Sequence, residues 1–180
     1  SIIGCNAERN VQEVDAMIKE ARNLFAPDRR TVVCDVHARI KGNSLLLAGE
    51  VLNQDLRDRF VQHVSTMTKL EIVDSITVLP QPSLGNQTYG VVSVSVASIR
   101  SKPGHAQELA TQALLGTPLK VLKKEDGWYY VQTPDEYLGW IDDGFTLMDK
   151  TTFDDWAQSE KIIVTASQGV TVRSAEKSSE

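Results

Sequence analysis

The sequence predicts an α+β fold in two parts, on three observations. Residues 8–80 mix helical and strand periodicities, residues 90–149 hold short strand-like runs divided by turn residues, and "QPSLGNQTY" between them has turn signals and no periodicity. With 180 residues, 41% hydrophobic and 24% charged, the chain has ordinary globular composition, enough for two small domains.

From Glu8 to Phe25 the apolar residues Val11, Val14, Met17, Ile18, Ala21, Leu24 and Phe25 recur every three or four positions, the buried stripe of a helix. "APD" at 26–28 ends it, because Pro27 disfavours helical backbone in the residue before it. In "TVVCDVHARI" the set Val32, Cys34, Val36, Ala38 and Ile40 alternates with Thr31, Asp35, His37 and Arg39, which predicts a half-buried strand. "KGN" turns the chain, and Leu45, Leu47, Gly49 and Val51 share one face of the returning strand. Asn53 or Asp55 caps a second helix with the stripe Leu56, Phe60, Val64 and Met67, and "EIVDSITVLP" reads as a third strand.

After the linker, strand-like runs at 90–99, 117–123, 128–133 and 137–141 alternate with Lys-Pro-Gly, Glu-Asp-Gly and Pro-Asp-Glu turns, the pattern of a small all-β barrel. A short helical linker is expected over 150–160, with Thr151 and Asp154 forming a capping-box-like start. "VASIRSKPG" at 96–104 is echoed by "GVTVRSAEK" at 169–177, so 161–180 reads as the first strand of a second, incomplete barrel and the natural chain is expected to continue past Glu180.

Net charge is −5 and no basic run exists, which gives no electrostatic footprint for nucleic acid. Apolar runs of about four residues fall far short of the roughly 20 needed to span a bilayer. "SIIGC" reads as the tail of a lipoprotein signal, with residues 1–7 as its remnant and tether and Cys5 as the lipidation site. Lipidation implies an extracytoplasmic protein, periplasmic or anchored at the outer membrane, that meets the membrane only through its anchor. A Cys5–Cys34 disulfide is not expected.

"WYYVQTPDEYLGWID" at 128–142 resembles the bacterial SH3 module, and 89–142 as a whole, through "LLGTPLKVL", "GWYYVQTPD" and "GW", resembles the SH3 region of NlpC-type cell-wall cysteine peptidases of Bacteroides-like bacteria. Residues 8–80, in the order αββαβ, are similar to the BON-type envelope domain. The resemblance implies a lipid-anchored murein peptidase in which this segment is non-catalytic and positions substrate, with peptidoglycan stem peptides and its own downstream domains as partners. It further implies a papain-like catalytic domain beyond Glu180. A stand-alone envelope scaffold built from the same modules is the alternative.

Cys34, mid-strand on the apolar face, is not expected to be a nucleophile. His37, His63 and His105 lack paired ligand spacing, so neither metal nor cofactor is expected. Trp128, Tyr129, Tyr130, Tyr137 and Trp140 leave two readings. In one, Trp140 and either Tyr129 or Tyr130 fill the barrel while the others pack on neighbouring domains. In the other, Trp128, Tyr130 and Tyr137 with Asp135 and Glu136 line a groove for murein peptide, the aromatics giving a flat apolar surface and an acid pairing with a free amine. Arg100 and Arg173 are expected to satisfy turn carbonyls or a local acid such as Glu108, rather than to bind ligand.

Overall fold

The computed structural model describes the backbone of residues 2–162 and the side chains of residues 12–162. The start of the second barrel and Arg173 lie outside that range, as does the Cys5 side chain. The chain is mixed α+β, with three helices and two sheets among the described residues.

Helix α1 (Ile2–Phe25) starts earlier than the stripe from Glu8 implies and buries Met17, Ile18 and Ala21. Strands β1 (Cys34–Lys41) and β2 (Ser44–Val51) form the expected hairpin, helix α2 (Gln54–Met67) follows, and β3 (Glu71–Val78) returns parallel to β2. A parallel return needs a crossover, and α2 provides it, lying with α1 on one face of the β1–β2–β3 sheet. There Val36, Leu45, Leu47, Val51, Phe60 and Val64 are fully buried. Asn53 caps α2 as expected, its Oδ1 accepting from the Leu56 amide at 2.9 Å. Met67, expected in the stripe, is instead the last residue of the helix and lies 38% exposed at the rim of an open cleft of about 590 Å³ between α1 and the β1–β2 turn.

The second unit has seven strands: β4 (Tyr89–Val92), β5 (Val96–Arg100), β6 (Leu109–Leu114), β7 (Pro118–Glu125), β8 (Trp128–Gln132), β9 (Leu138–Ile141) and β10 (Phe145–Met148). They run in the order β10-β4-β7-β8-β9-β5-β6, and the sheet curls so that Val92, Ile99, Ala113, Leu119, Val121, Val131 and Ile141 meet in one core. The run at 90–99 is two strands separated at 93–95, and β6 and β10 lie outside the four expected runs. Residues 81–89 are ordered against both units: a single 3-10 turn (Pro82–Leu84) sets Leu84 against the second core, and Tyr89 already belongs to β4. Helix α3 (Lys150–Gln158) is capped by Asp149, whose Oδ1 accepts from the Thr152 amide at 2.8 Å, so the cap lies two residues before the expected Thr151. The helix leans on β4 through Phe153 stacked on Tyr89, ring centroids 4.7 Å apart.

Candidate functional site

Alternation along β8 sorts the aromatic group. Tyr129 and Val131 point into the curled sheet, where Tyr129 meets Phe145 edge-on at 5.2 Å, and Trp128, Tyr130 and Gln132 point outward. Tyr130 is paired across the ladder with Trp140, ring centroids 4.9 Å apart. Trp140 is only 7% exposed, yet it does not fill the interior: Ile141 beside it does, and strand alternation turns the indole to the outer face.

That outer face meets the first unit. Val33 and Leu79 from one side and Leu122 and Leu138 from the other form a separate buried cluster, with Leu52 and Tyr130 packed against it. Beside the cluster, the Lys123 ammonium donates to Glu50 at 2.7 Å and pairs with Glu125 at 2.9 Å, and it lies 5.7 Å from the Tyr130 ring centroid and 5.4 Å from that of Trp140. Gln81 donates to the other Glu50 oxygen at 2.6 Å, and its backbone amide to the Leu122 carbonyl at 2.8 Å. Burial by itself would lower the Lys123 pKa, but hydrogen bonds to Glu50 and Glu125 outweigh it and leave it raised. Burial raises the Tyr130 phenol above its ordinary range. Tyr130 is thus part of the seam between the two units.

Asp135, Glu136 and Tyr137 form the β8–β9 turn. The Tyr137 carbonyl accepts from the Thr133 amide at 3.0 Å and its hydroxyl at 3.1 Å, the Glu136 amide donates to the Thr133 carbonyl at 2.9 Å, and Glu136 has a left-handed φ of 68°. The first unit holds this turn: the Leu138 amide donates to the Arg30 carbonyl at 2.8 Å, and Gln132 donates from Nε2 to the carbonyls of Thr31 and Glu136, both at 3.1 Å. Asp135 and Glu136 are exposed and Tyr137 half-buried. Trp128 follows the β7–β8 turn at the other end of β8, against His105 at 5.2 Å. The five sequence candidates therefore divide three ways: Trp128 at one end of β8, Tyr130 in the seam, and Asp135, Glu136 and Tyr137 on a fixed turn.

Sequence reasoning missed Glu50 and Lys123. Each occupies an outward position of its own strand, and no local pattern announces a partner 73 residues away. Arg100 satisfies a turn carbonyl, as one part of its expected role, through Nη1 donating to the Gln107 carbonyl at 2.8 Å. Cys34 is buried and free, with its thiol pushed up to about 11 by burial, the reverse of what a nucleophile needs. Among the described residues no group of three His, Cys, Asp or Glu side chains is arranged to hold a metal ion, and no helix is long and apolar enough to cross a membrane.

Residues 99–144 match the family model for the bacterial dipeptidyl-peptidase SH3 domain, about a quarter of the chain. The match runs from β5 into the turn after β9 and includes Lys123, the aromatic strands and the β8–β9 turn. A search of curated proteins finds no match. The second unit thus contains an SH3-type domain of a peptidase-associated protein.

Proposed function

We propose that the chain is the non-catalytic, substrate-positioning and cell-wall-targeting region of a peptidoglycan peptide hydrolase, anchored in the envelope by a lipid on Cys5 and related to the NlpC-type cysteine peptidases. In this reading 8–80 is a BON-like domain and 90–149 an SH3-like small barrel. The observation that carries it is the seam. Positioning demands that contact residues be held by rigid support, and here the peptidase-associated domain is fixed to its neighbour by an apolar cluster, a half-buried ion pair and backbone hydrogen bonds. Tyr130 and Trp140 serve that support. The murein-peptide contacts are Tyr137, which offers a flat apolar face, and Asp135 and Glu136, whose carboxylates suit the free amine of a stem peptide.

The test is titration of the purified chain with a murein stem tripeptide, followed by NMR for binding and by mass spectrometry for cleavage. Saturable shifts at 135–137 with the peptide intact are expected. Hydrolysis by this chain, or no binding at millimolar peptide, would overturn the proposal.

A further inference from the structure

A polar recess lies beyond Trp140 and shares no lining residue with the seam cluster or the β8–β9 turn. It encloses about 250 Å³ between the outer face of β5 and the β9–β10 turn, with Val94, Val96, Ser98, Arg100, His105, Asp142 and Asp143 among its lining residues. This is below the roughly 300 Å³ at which pockets for drug-sized ligands begin, so the space suits something smaller.

Its chemistry is ordered along the strand. Val96, Ser98 and Arg100 alternate outward on β5. Arg100 pairs with Trp140, and just past the end of β9 Asp142 lines the recess together with Ser98, while Gly144 lies against Val94 and Ala97, where a Cβ would come within 2.9 Å of Val94 Cγ2. The sequence of surfaces is therefore cation, acid, apolar: Arg100, then Asp142 and Asp143, then Val94 and Val96, which are 38% and 47% exposed. Arg100 spends Nη1 on the Gln107 carbonyl, which fixes the direction of its guanidinium. His105 stands over Asp142 with Nε2 to Oδ2 at 3.4 Å, and its ring rests against Trp128.

We propose that this recess binds a short zwitterionic peptide of about two residues: ammonium on Asp142 and Asp143, first side chain on Val94 and Val96, carboxylate on Arg100. The spacing supports it. Asp142 lies two residues beyond Trp140, the ladder partner of Arg100, and diagonal neighbours at that offset are roughly 7 Å apart. The ends of a dipeptide, whose Cα atoms are about 3.8 Å apart, are separated by a similar distance. Both ends of the ligand are recognised by opposite charge, so blocking either end weakens binding.

The experiment is an amide NMR titration of the chain with L-Ala-L-Ala, its N-acetyl form and its C-terminal amide. Saturable shifts at Ser98, Arg100 and 142–144 are expected with the free dipeptide, at least tenfold weaker binding with either capped form, and the same loss in a D142N/D143N variant with unchanged melting temperature. If that variant fails to fold, the capped ligands decide on the unmodified chain. Equal binding of capped and free forms, or no binding at tens of millimolar, overturns the proposal. Dipeptide shifts confined to 135–137 also overturn it while leaving the positioning proposal standing. Stem-peptide binding that fails at the turn while the dipeptide fills the recess has the opposite consequence.

Discussion

Replacing Lys123 by Met keeps most of the aliphatic stem over Tyr130 and Trp140 but removes the charge. Glu50 is then left with Gln81 as its single side-chain partner in a position where its side chain is 22% exposed, Lys123 having been 16% exposed. Fully exposed pairs are worth about 0.2–1 kcal/mol, and breaking a buried pair costs about 3–5 kcal/mol. This half-buried pair lies between those limits, and the cation–π contact with two rings adds to it, so K123M is expected to lose about 2 kcal/mol. Denaturant unfolding followed by tryptophan fluorescence measures it. The E50Q/K123M double variant should recover at least half of the loss, since no unpaired carboxylate remains. Because the folded pKa of Lys123 is raised, its contribution is fully present below the ordinary value of 10.5 and is lost as pH rises through the higher folded value. The difference between the unmodified chain and K123M should therefore stay flat across neutral pH and shrink only in strong alkali. A loss under about 0.5 kcal/mol, or strict additivity in the double variant, refutes the reasoning.

Asn53→Ala removes the α2 cap and should cost about 1 kcal/mol by the same unfolding assay. Gly49→Ala should give no stably folded first unit by circular dichroism, because Gly49 has a φ of 131° and a Cβ there runs into the Asp35 carbonyl oxygen. Asp28, hydrogen-bonded by the Arg30 side chain and amide, has its carboxyl lowered to about 2, so its contribution is present above the ordinary 3.8 and is lost as pH falls through about 2. NMR titration should show that midpoint, moving toward 3.8 in R30A. In a C5S variant, Cys34 should resist thiol reagents at neutral pH until the chain is unfolded, as measured by absorbance on disulfide exchange.

The first unit was largely legible because its cores follow two simple periods. Phe60 and Val64 recur at helical spacing, Leu45 and Leu47 alternate, and burial follows. The parallel β2–β3 pairing is a non-local choice that no window of sequence contains. In the second unit β6 was missed because "LATQAL" buries only Ala113, and Leu109 and Leu114 remain 46% and 64% exposed, so its pattern gives no strand alternation. The aromatic residues stand out in the sequence as a concentration, but their roles depend on which face of a curled sheet each occupies. Trp140 illustrates this: its burial follows from its size and strand position, while its place on the outer face, against Tyr130 and Lys123, follows only from the fold. Glu50 and Lys123 were invisible for the same reason, since a charged residue at an outward strand position ordinarily faces water.

The seam is expected to hold the two units as one body, so that the β8–β9 turn is presented at a fixed angle to whatever it positions. Backbone ¹⁵N relaxation of the purified chain tests this directly. One rotational correlation time shared by amides of β1–β3 and of β7–β9 is the predicted result, and two distinct correlation times, each that of a separately tumbling unit, would contradict it.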